Sequence, residues 1–547
     1  MPSVFEIADK FVEDVIQLDP MMAIQLGLPA TELSDFSPAA ADKFAALMTS
    51  TLADLDAAEP ANEAERICAA VVRERMSVWQ AAHAAHDHQV NLNVLASPTQ
   101  EIRTIFDLLP IETPEQQDAW VTLAADVPRS LDSYKVSLQA GLDAGRLAAR
   151  RQALEVGTQC AAFGKYFVDT AAEFGGARAI AAGAAAKAAF DAMSEWLTNV
   201  YAPACPVADG VGRERYEREV RKFTGASIDV LELWQWGWDE LDRITDRMEV
   251  AAEELYPGVP LAEVLERLDG DERYIVHGSD NILKFLQELT ATATRDMREH
   301  FAIPDSIARC DVKLAGEGSA SAPYYMPPSE DLARAGSTWL PTMGKDEFAT
   351  WHLVSTWYHE AVPGHHLQVG TTVINRERLS RFQRTMGWTS GYGEGWALYA
   401  ERLMDELGYF SDPGYELGFL SAQALRAARI IVDIGMHLGL SVPATQKRET
   451  VGVPIDYDFS VSFLTRRALQ PATSAQSETV RYLGWPGQAI SYKLGEKYML
   501  AARAEAQGRH GGAFDLKKWH FDLLDMGPVG LDLMAEELAK LDRKSVV

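Results

Sequence analysis

Apolar residues recur at helical spacing through most of this chain. The runs 38–90, 115–155, 214–254, 280–301, 346–360, 394–407, 415–438 and 487–507 place them at intervals of three and four among Ala, Glu and Arg. Each run predicts an amphipathic helix. Residues 170–193 are rich in Ala, and such small side chains predict close helix packing in a core. The segment 202–212, with two prolines and two glycines, is the best candidate boundary. It divides a helical lobe at 1–205 from a second at 206–547, the two intertwined as one unit. One stretch breaks the helical pattern. CDVKLAGEGSASAPYYMPP at 310–328 has short β-like runs and a Pro-Pro stop. It predicts a small β element near the site, a surface hairpin or a strand able to pair with an extended substrate. No internal repeat is visible.

Composition narrows the function. The chain has 547 residues, 47% of them apolar and 24% charged, which are globular values. Its formal net charge of −28 argues against nucleic acid and against anionic membrane surfaces. The N-terminal segment is amphipathic and acidic, with no secretory pattern, and no apolar run reaches the roughly 18 residues needed to span a bilayer. A cytoplasmic location is expected. Cys68, Cys160, Cys205 and Cys310 lie far apart and predict reduced, structural thiols.

The chemistry concentrates in His359-Glu360-Ala-Val-Pro363-Gly364-His365. A zinc-hydrolase helix ordinarily reads H-E-x-x-H, with two His one turn apart and the Glu as general base. Here the second His follows the first by six residues. At about 100° per residue, that position lies roughly 240° round a regular helix, on the wrong face. His366 returns to the right face but sits about 10 Å further along the axis. Two nitrogens that each bind one zinc at about 2.1 Å lie within about 4 Å of each other. A straight helix therefore cannot build the site. Pro363 clashes with the carbonyl of His359, and Gly364 accepts dihedrals that other residues resist, so a break there can return His365 to His359.

A catalytic zinc takes three protein ligands and keeps a fourth position open. GYGEGWALYAERL at 391–403 offers Glu394 as the third ligand, on a returning helix whose glycines permit close approach. Glu401, two turns on and about 10 Å away, cannot share that metal. It is expected to be exposed or ion-paired, with a supporting role behind a ligand as the alternative. His83, His86 and His88 form another cluster, but no H-E pattern accompanies them, and a structural or interfacial role is expected.

The segments HEAVPGHHLQ, GYGEGWALYAERL, RAARIIVDIGMH and GWPGQAISYKLG together resemble the bacterial DUF885 family. That family is similar to the Glu-zincin metallopeptidases, such as angiotensin-converting enzyme and the M3 and M32 peptidases. The resemblance implies a mainly α, two-lobed fold with a deep central channel. It implies His359, His365 and Glu394 as ligands of one Zn2+ per chain, with His365 favoured over His366 because the family pattern places the His directly after Pro-Gly. Glu360 is then the general base. Tyr492 is the candidate hydrogen-bond donor to the developing oxyanion, and His437 is the alternative donor. Arg481, Arg426 and Arg429 are candidate anchors for a substrate carboxylate, with Tyr325 and Tyr324 lining the cleft. The expected activity is zinc-dependent hydrolysis of short peptides. The alternatives are an amidase or esterase acting on a non-peptide small molecule, and a non-catalytic helical binding protein with a structural metal. The expected partner is a small peptide or amide, with no nucleic acid and no membrane, and a homodimer stays open.

Overall fold

Local stop signals decide how the long amphipathic runs are cut into helices. The run at 38–90 becomes Pro38–Ala57 and Glu63–Ala84, divided at Pro60 and restarted by Asn62, whose side chain caps the Glu65 N–H. The run at 115–155 becomes Pro114–Asp143 and Arg150–Phe174. Gly145, at φ +71°, turns the chain between them. The run at 214–254 divides at Gly225 (φ +65°), and Asp229 caps the restart of Val230–Leu255. The run at 346–360 departs from expectation. It begins with a strand, and its helix spans only Leu353–Glu360. Phe348 points into a small core under the sheets, a burial that a strand satisfies with one residue.

The computed structural model describes residues 2–316 and 322–545, of which Glu317–Ser321 in the expected β stretch are not part. The fold is mainly α, 69% helix, with two small β-sheets. Strand β1 (Ile275–His277) pairs antiparallel with β5 (Glu347–Ala349). In the other sheet β4 (Gly336–Pro341) lies between β2 (Cys310–Ala315), parallel to it, and β3 (Tyr324–Met326), antiparallel. The 310–328 stretch thus supplies two strands, and β3 lies at a sheet edge.

One apolar core runs from Met21 to Cys205, around Trp120, Phe167 and Phe190. The Ala-rich segment packs there as expected. Gly183 of Ala177–Trp196 lies so close to the Phe167 carbonyl that a Cβ would collide with it. A second, larger core joins Val4–Val15 and inner residues of Pro38–Ala57 and Glu63–Ala84 to the chain from Tyr216 onward. Its spine is Val230–Leu255 packed along Pro413–Leu438, with Gly237 against Ile430. A third cluster, with Ile282, Val312, Leu340 and Trp357, seats Leu353–Glu360 against the sheets. All four cysteines are free thiols. Among the described residues no helix is long and apolar enough to cross a membrane.

Candidate metal centre

The helix carrying His359 stops at Glu360, and a new one begins at His365. The break lies at the predicted Pro-Gly, and the Val362–Pro363 bond is cis. Gly364 passes directly over the end of the first helix, where a Cβ would strike the carbonyls of His359 and Tyr358. Only glycine fits this path. Trp396 Nε1 donates to the carbonyls of Pro363 (2.9 Å) and Gly364 (3.2 Å), which ties the break to the helix that carries Glu394.

The reversal brings the His359 and His365 rings to 4.8 Å, centroid to centroid. Glu394 faces both. Its Oε2 lies 3.3 Å from His359 Nε2 and 3.5 Å from His365 Nε2. Ligands arranged tetrahedrally around zinc are about 3.4 Å apart. One donor atom from each residue falls within 4.8 Å of the others. His366 turns away. Its Nε2–H donates to the Ile307 carbonyl (2.8 Å), so its Nδ1 accepts the Tyr325 hydroxyl (3.1 Å).

Glu401 corrects the sequence reading. It is fully buried, neither exposed nor bound to Lys or Arg, and it stands behind His359. His359 Nδ1 donates to Glu401 Oε1 at 2.8 Å, and Ser355 Oγ donates to Oε2 at 2.6 Å. This bond holds the proton on Nδ1 and turns Nε2 toward Glu394 and His365. Burial penalises a charge on His359, but Glu394 and Glu401 on its two sides outweigh that and raise its proton affinity to about 9. Burial likewise opposes the Glu394 carboxylate, and the two histidines hold it well below the usual range. The centre therefore favours a cation between these groups. Two imidazole nitrogens and one carboxylate oxygen are a zinc donor set, so the residues fit the metal.

Glu360 lies beside this group. Burial raises its proton affinity, with His365 and His359 acting in the opposite sense. Its carboxylate makes no hydrogen bond among the described residues, which leaves it free to exchange a proton.

The ligand helix, Ser390–Glu406, explains its own glycines. A Cβ at Gly393 would enter the ring of Trp388, and a Cβ at Gly395 would strike the backbone of Gly495 on Ser491–His510. The Gly395–Gly495 contact brings the helix that carries Tyr492 against the helix that carries Glu394. The Tyr492 ring then stacks 6.4 Å from His359.

These groups share one chamber of about 690 Å³, lined by His359, Glu360, His365, Glu394, Tyr492 and the arginines 426, 429 and 481. Tyr324 and Tyr325 of β3 form part of its wall. Arg429 binds Glu478 Oε2 (2.8 Å) and the Tyr482 hydroxyl (2.8 Å), and its guanidinium lies 4.7 Å from the Tyr492 ring centre. Arg481 binds Glu478 (3.0 Å) and Gln488 (2.6 Å), but its Nε is buried and unpartnered. Arg426 forms no ion pair with a carboxylate among the described residues; it donates to the Ala422 carbonyl (3.2 Å), and its Nε is also buried without a partner. A neighbouring groove of about 1,110 Å³ shares Pro323, Thr356 and Arg426 with the chamber wall.

His437 is not brought to the site. It is buried against Tyr216, with ring centroids 5.4 Å apart. Its Nε2–H donates to the Tyr482 carbonyl (3.0 Å), and its Nδ1 accepts the Val211 N–H (3.4 Å). Both nitrogens are occupied by backbone, and burial depresses its proton affinity to about 4. It is a neutral core histidine. In the other cluster, His83 pairs with Asp42 (2.9 Å), and its ring stacks on His88.

Sequence reasoning missed Trp388 and Glu478, both in the chamber wall, and the part played by Ser355. Ser355 carried a legible signal, since it lies one turn before His359 on the same helix face.

Two solved structures share the fold over essentially the whole length. A protein of Colwellia psychrerythraea, provisionally designated a lipoprotein, superposes with a TM-score of 0.82 at 19% identity, covering 100% of both chains. A protein of Shewanella oneidensis, with the same provisional designation and of unknown function, gives 0.76 at 17% identity, covering 98% of this chain and 100% of the other. No curated protein matches the chain. Residues 20–538 match the model of the bacterial proteins of unknown function DUF885, and the chain belongs to that family.

Proposed function

We propose that this protein is a zinc-dependent hydrolase that cleaves an amide bond in short peptides with a free C-terminus. The observation that carries this reading is the convergence, in one chamber, of a three-residue donor set, a half-buried carboxylate without a hydrogen bond among the described residues, and guanidinium groups. Three protein ligands leave a fourth position, as catalytic zinc sites do and closed structural sites do not. When bound, the metal would supply a Lewis acid and lower the pKa of water.

The chain's own residues account for the rest. Glu360, held apart from any hydrogen-bond partner, accepts a proton from attacking water and returns it to the leaving nitrogen. The Tyr492 hydroxyl, across the chamber, donates to the oxygen that becomes negative. Glu401 and Ser355 keep His359 in its ligating tautomer. The guanidinium groups of Arg426 and Arg481, in the chamber wall, receive a carboxylate. A divalent cation and the three arginines carry five positive charges against the four carboxylates Glu360, Glu394, Glu401 and Glu478, which leaves one to be met by substrate. The edge strand β3 offers backbone groups to an extended peptide, and the adjoining groove gives that peptide length.

The test is turnover of a library of free-acid peptides two to eight residues long, before and after chelation and zinc return. Chelator-sensitive cleavage restored by zinc supports the reading. No cleavage of any peptide, or cleavage indifferent to chelator, overturns it.

A further inference from the structure

A second cavity, of about 360 Å³, opens on another part of the molecule. It lies among Pro38–Ala57, Glu63–Ala84, the helix Arg213–Thr224 and the turn Gly484-Trp485-Pro486. Its size is in the range of small-molecule pockets, roughly 300–1,000 Å³. Phe44, Met48, Trp79, Leu92 and Trp485 give it apolar, aromatic walls, with Phe44 and Trp79 tilted at 6.0 Å.

The polar groups around this wall are paired, with one exception among the charges. Asp87 is bound through both oxygens by Arg218 at 2.8 Å. Glu219 pairs with Lys222 at 3.3 Å. His83 is held by Asp42, and burial beside His83 and His86 lowers the proton affinity of His88, which stays neutral. Arg215 makes no hydrogen bond or ion pair among the described residues, and its Nε is buried. A guanidinium does not lose its proton in proteins, so this charge stands without a counter-ion. Asn91 adds a further donor. Its Oδ1 accepts from Asn93 (3.2 Å), while its amide nitrogen has no partner among the described residues.

An uncompensated, partly buried guanidinium at the edge of an aromatic cavity describes its complement. We infer that this cavity is a second binding site, for a small aromatic monoanion whose carboxylate meets Arg215 and Asn91 while its ring lies against Phe44, Trp79 and Trp485. The site is independent of the metal centre. Its lining has no residue in common with the metal chamber; the link in sequence is the turn at Gly484–Pro486, which ends the helix bearing Arg481.

The test uses the full chain and naphthoate, followed by titration calorimetry, with naphthamide as the neutral analogue. One saturable site per chain is expected for naphthoate. Arg215→Met should weaken it by about tenfold or more, to the level of naphthamide, since a charge-assisted contact is lost. Ala82→Trp fills the cavity without altering a charge and should abolish binding. Chelation and Arg481→Ala, which act on the metal chamber, should leave it unchanged. If Ala82→Trp does not fold, Arg215→Gln, which keeps a polar group but no charge, carries the test with Arg215→Met. The inference is overturned if naphthoate does not bind, if these Arg215 variants bind it as the unaltered chain does, or if binding disappears with Arg481→Ala or chelation.

Discussion

At the scale of single residues, the site depends on which atom each side chain has free. Glu360 has no hydrogen bond among the described residues, whereas Glu394 faces both imidazoles. Glu360→Gln should therefore lower turnover by roughly 10²–10⁴-fold with zinc content still near one per chain, as activity and elemental analysis of the same preparation will show. Loss of zinc in this variant would assign Glu360 to ligation. Glu401 acts through His359. Glu401→Ala should weaken zinc affinity by about 10–100-fold, measured by competition with a chelator, and return of activity at high zinc would place its effect in binding the metal. Arg481 has an unused, buried Nε in the chamber. Arg481→Ala should raise KM for free-acid peptides, by an amount equivalent to roughly 2–3 kcal/mol, far more than for their C-terminal amides. Equal effects on both would return Arg481 to its ion pair with Glu478. The approach of His359, His365 and Glu394 was legible because the two histidines, six apart across Pro-Gly, meet only if the helix breaks there. Glu401 takes the alternative role kept for it, behind a histidine, and not the exposed or surface-paired one expected first, since an i+7 carboxylate is too far to share a metal. The distance that excludes ligation is spanned by the imidazole of His359, which touches Glu394 with one nitrogen and Glu401 with the other.

At the scale of elements, glycines set the distances between the helices that build the site. The sequence announced close approach at 391, 393 and 395 but could not name the neighbours, because these lie far away in the chain. Gly393 makes room for Trp388, and Gly395 meets Gly495. Gly395→Ala forces apart the helices that carry Glu394 and Tyr492. Overpacking of this kind costs about 1–3 kcal/mol, and the variant should melt lower and lose turnover beyond what its stability explains. Urea denaturation and kcat of the folded fraction will separate the two effects; unchanged kcat would detach the Gly395–Gly495 contact from Tyr492. The helix runs themselves were legible from periodicity. The strand β5 was not, since three residues are too few to display a period of two. His437 shows the same limit in another form. Glycines flank it at helical spacing, and the structure uses them for packing and for ending the helix. Gly435 lies against Ile455, and Gly439 closes the helix at φ +64°.

At the scale of the whole molecule, buried titratable groups outside the site link folding to pH. His437 is depressed to about 4 and His520 to about 3, both chiefly by burial. Unfolded histidines titrate near 6.5, so between about 6.5 and 5 the unfolded chain binds protons at these positions that the folded chain refuses. Stability from both is present above 6.5 and is lost as pH falls. Asp433 has the opposite sign. It is fully buried, accepts from Tyr216 (2.7 Å) and from the Gly487 N–H (3.0 Å), and burial raises it to about 7. The folded chain keeps this proton through the same window while the unfolded chain does not, so its contribution is lost as pH rises. Glu101, raised to about 7 chiefly by burial, acts in the same sense as Asp433, so two groups stand against two and each is read from its own variant between pH 6.5 and 5. Denaturant midpoints measured across that range, with chelator present throughout so that metal release does not contribute, will give the slope. Asp433→Asn removes one of the two carboxyls and should make stability fall more, or rise less, on acidification; His437→Asn should do the reverse. If both variants leave the slope unchanged, the cluster joining Asp433, Tyr216 and His437 does not set the acid stability of the fold.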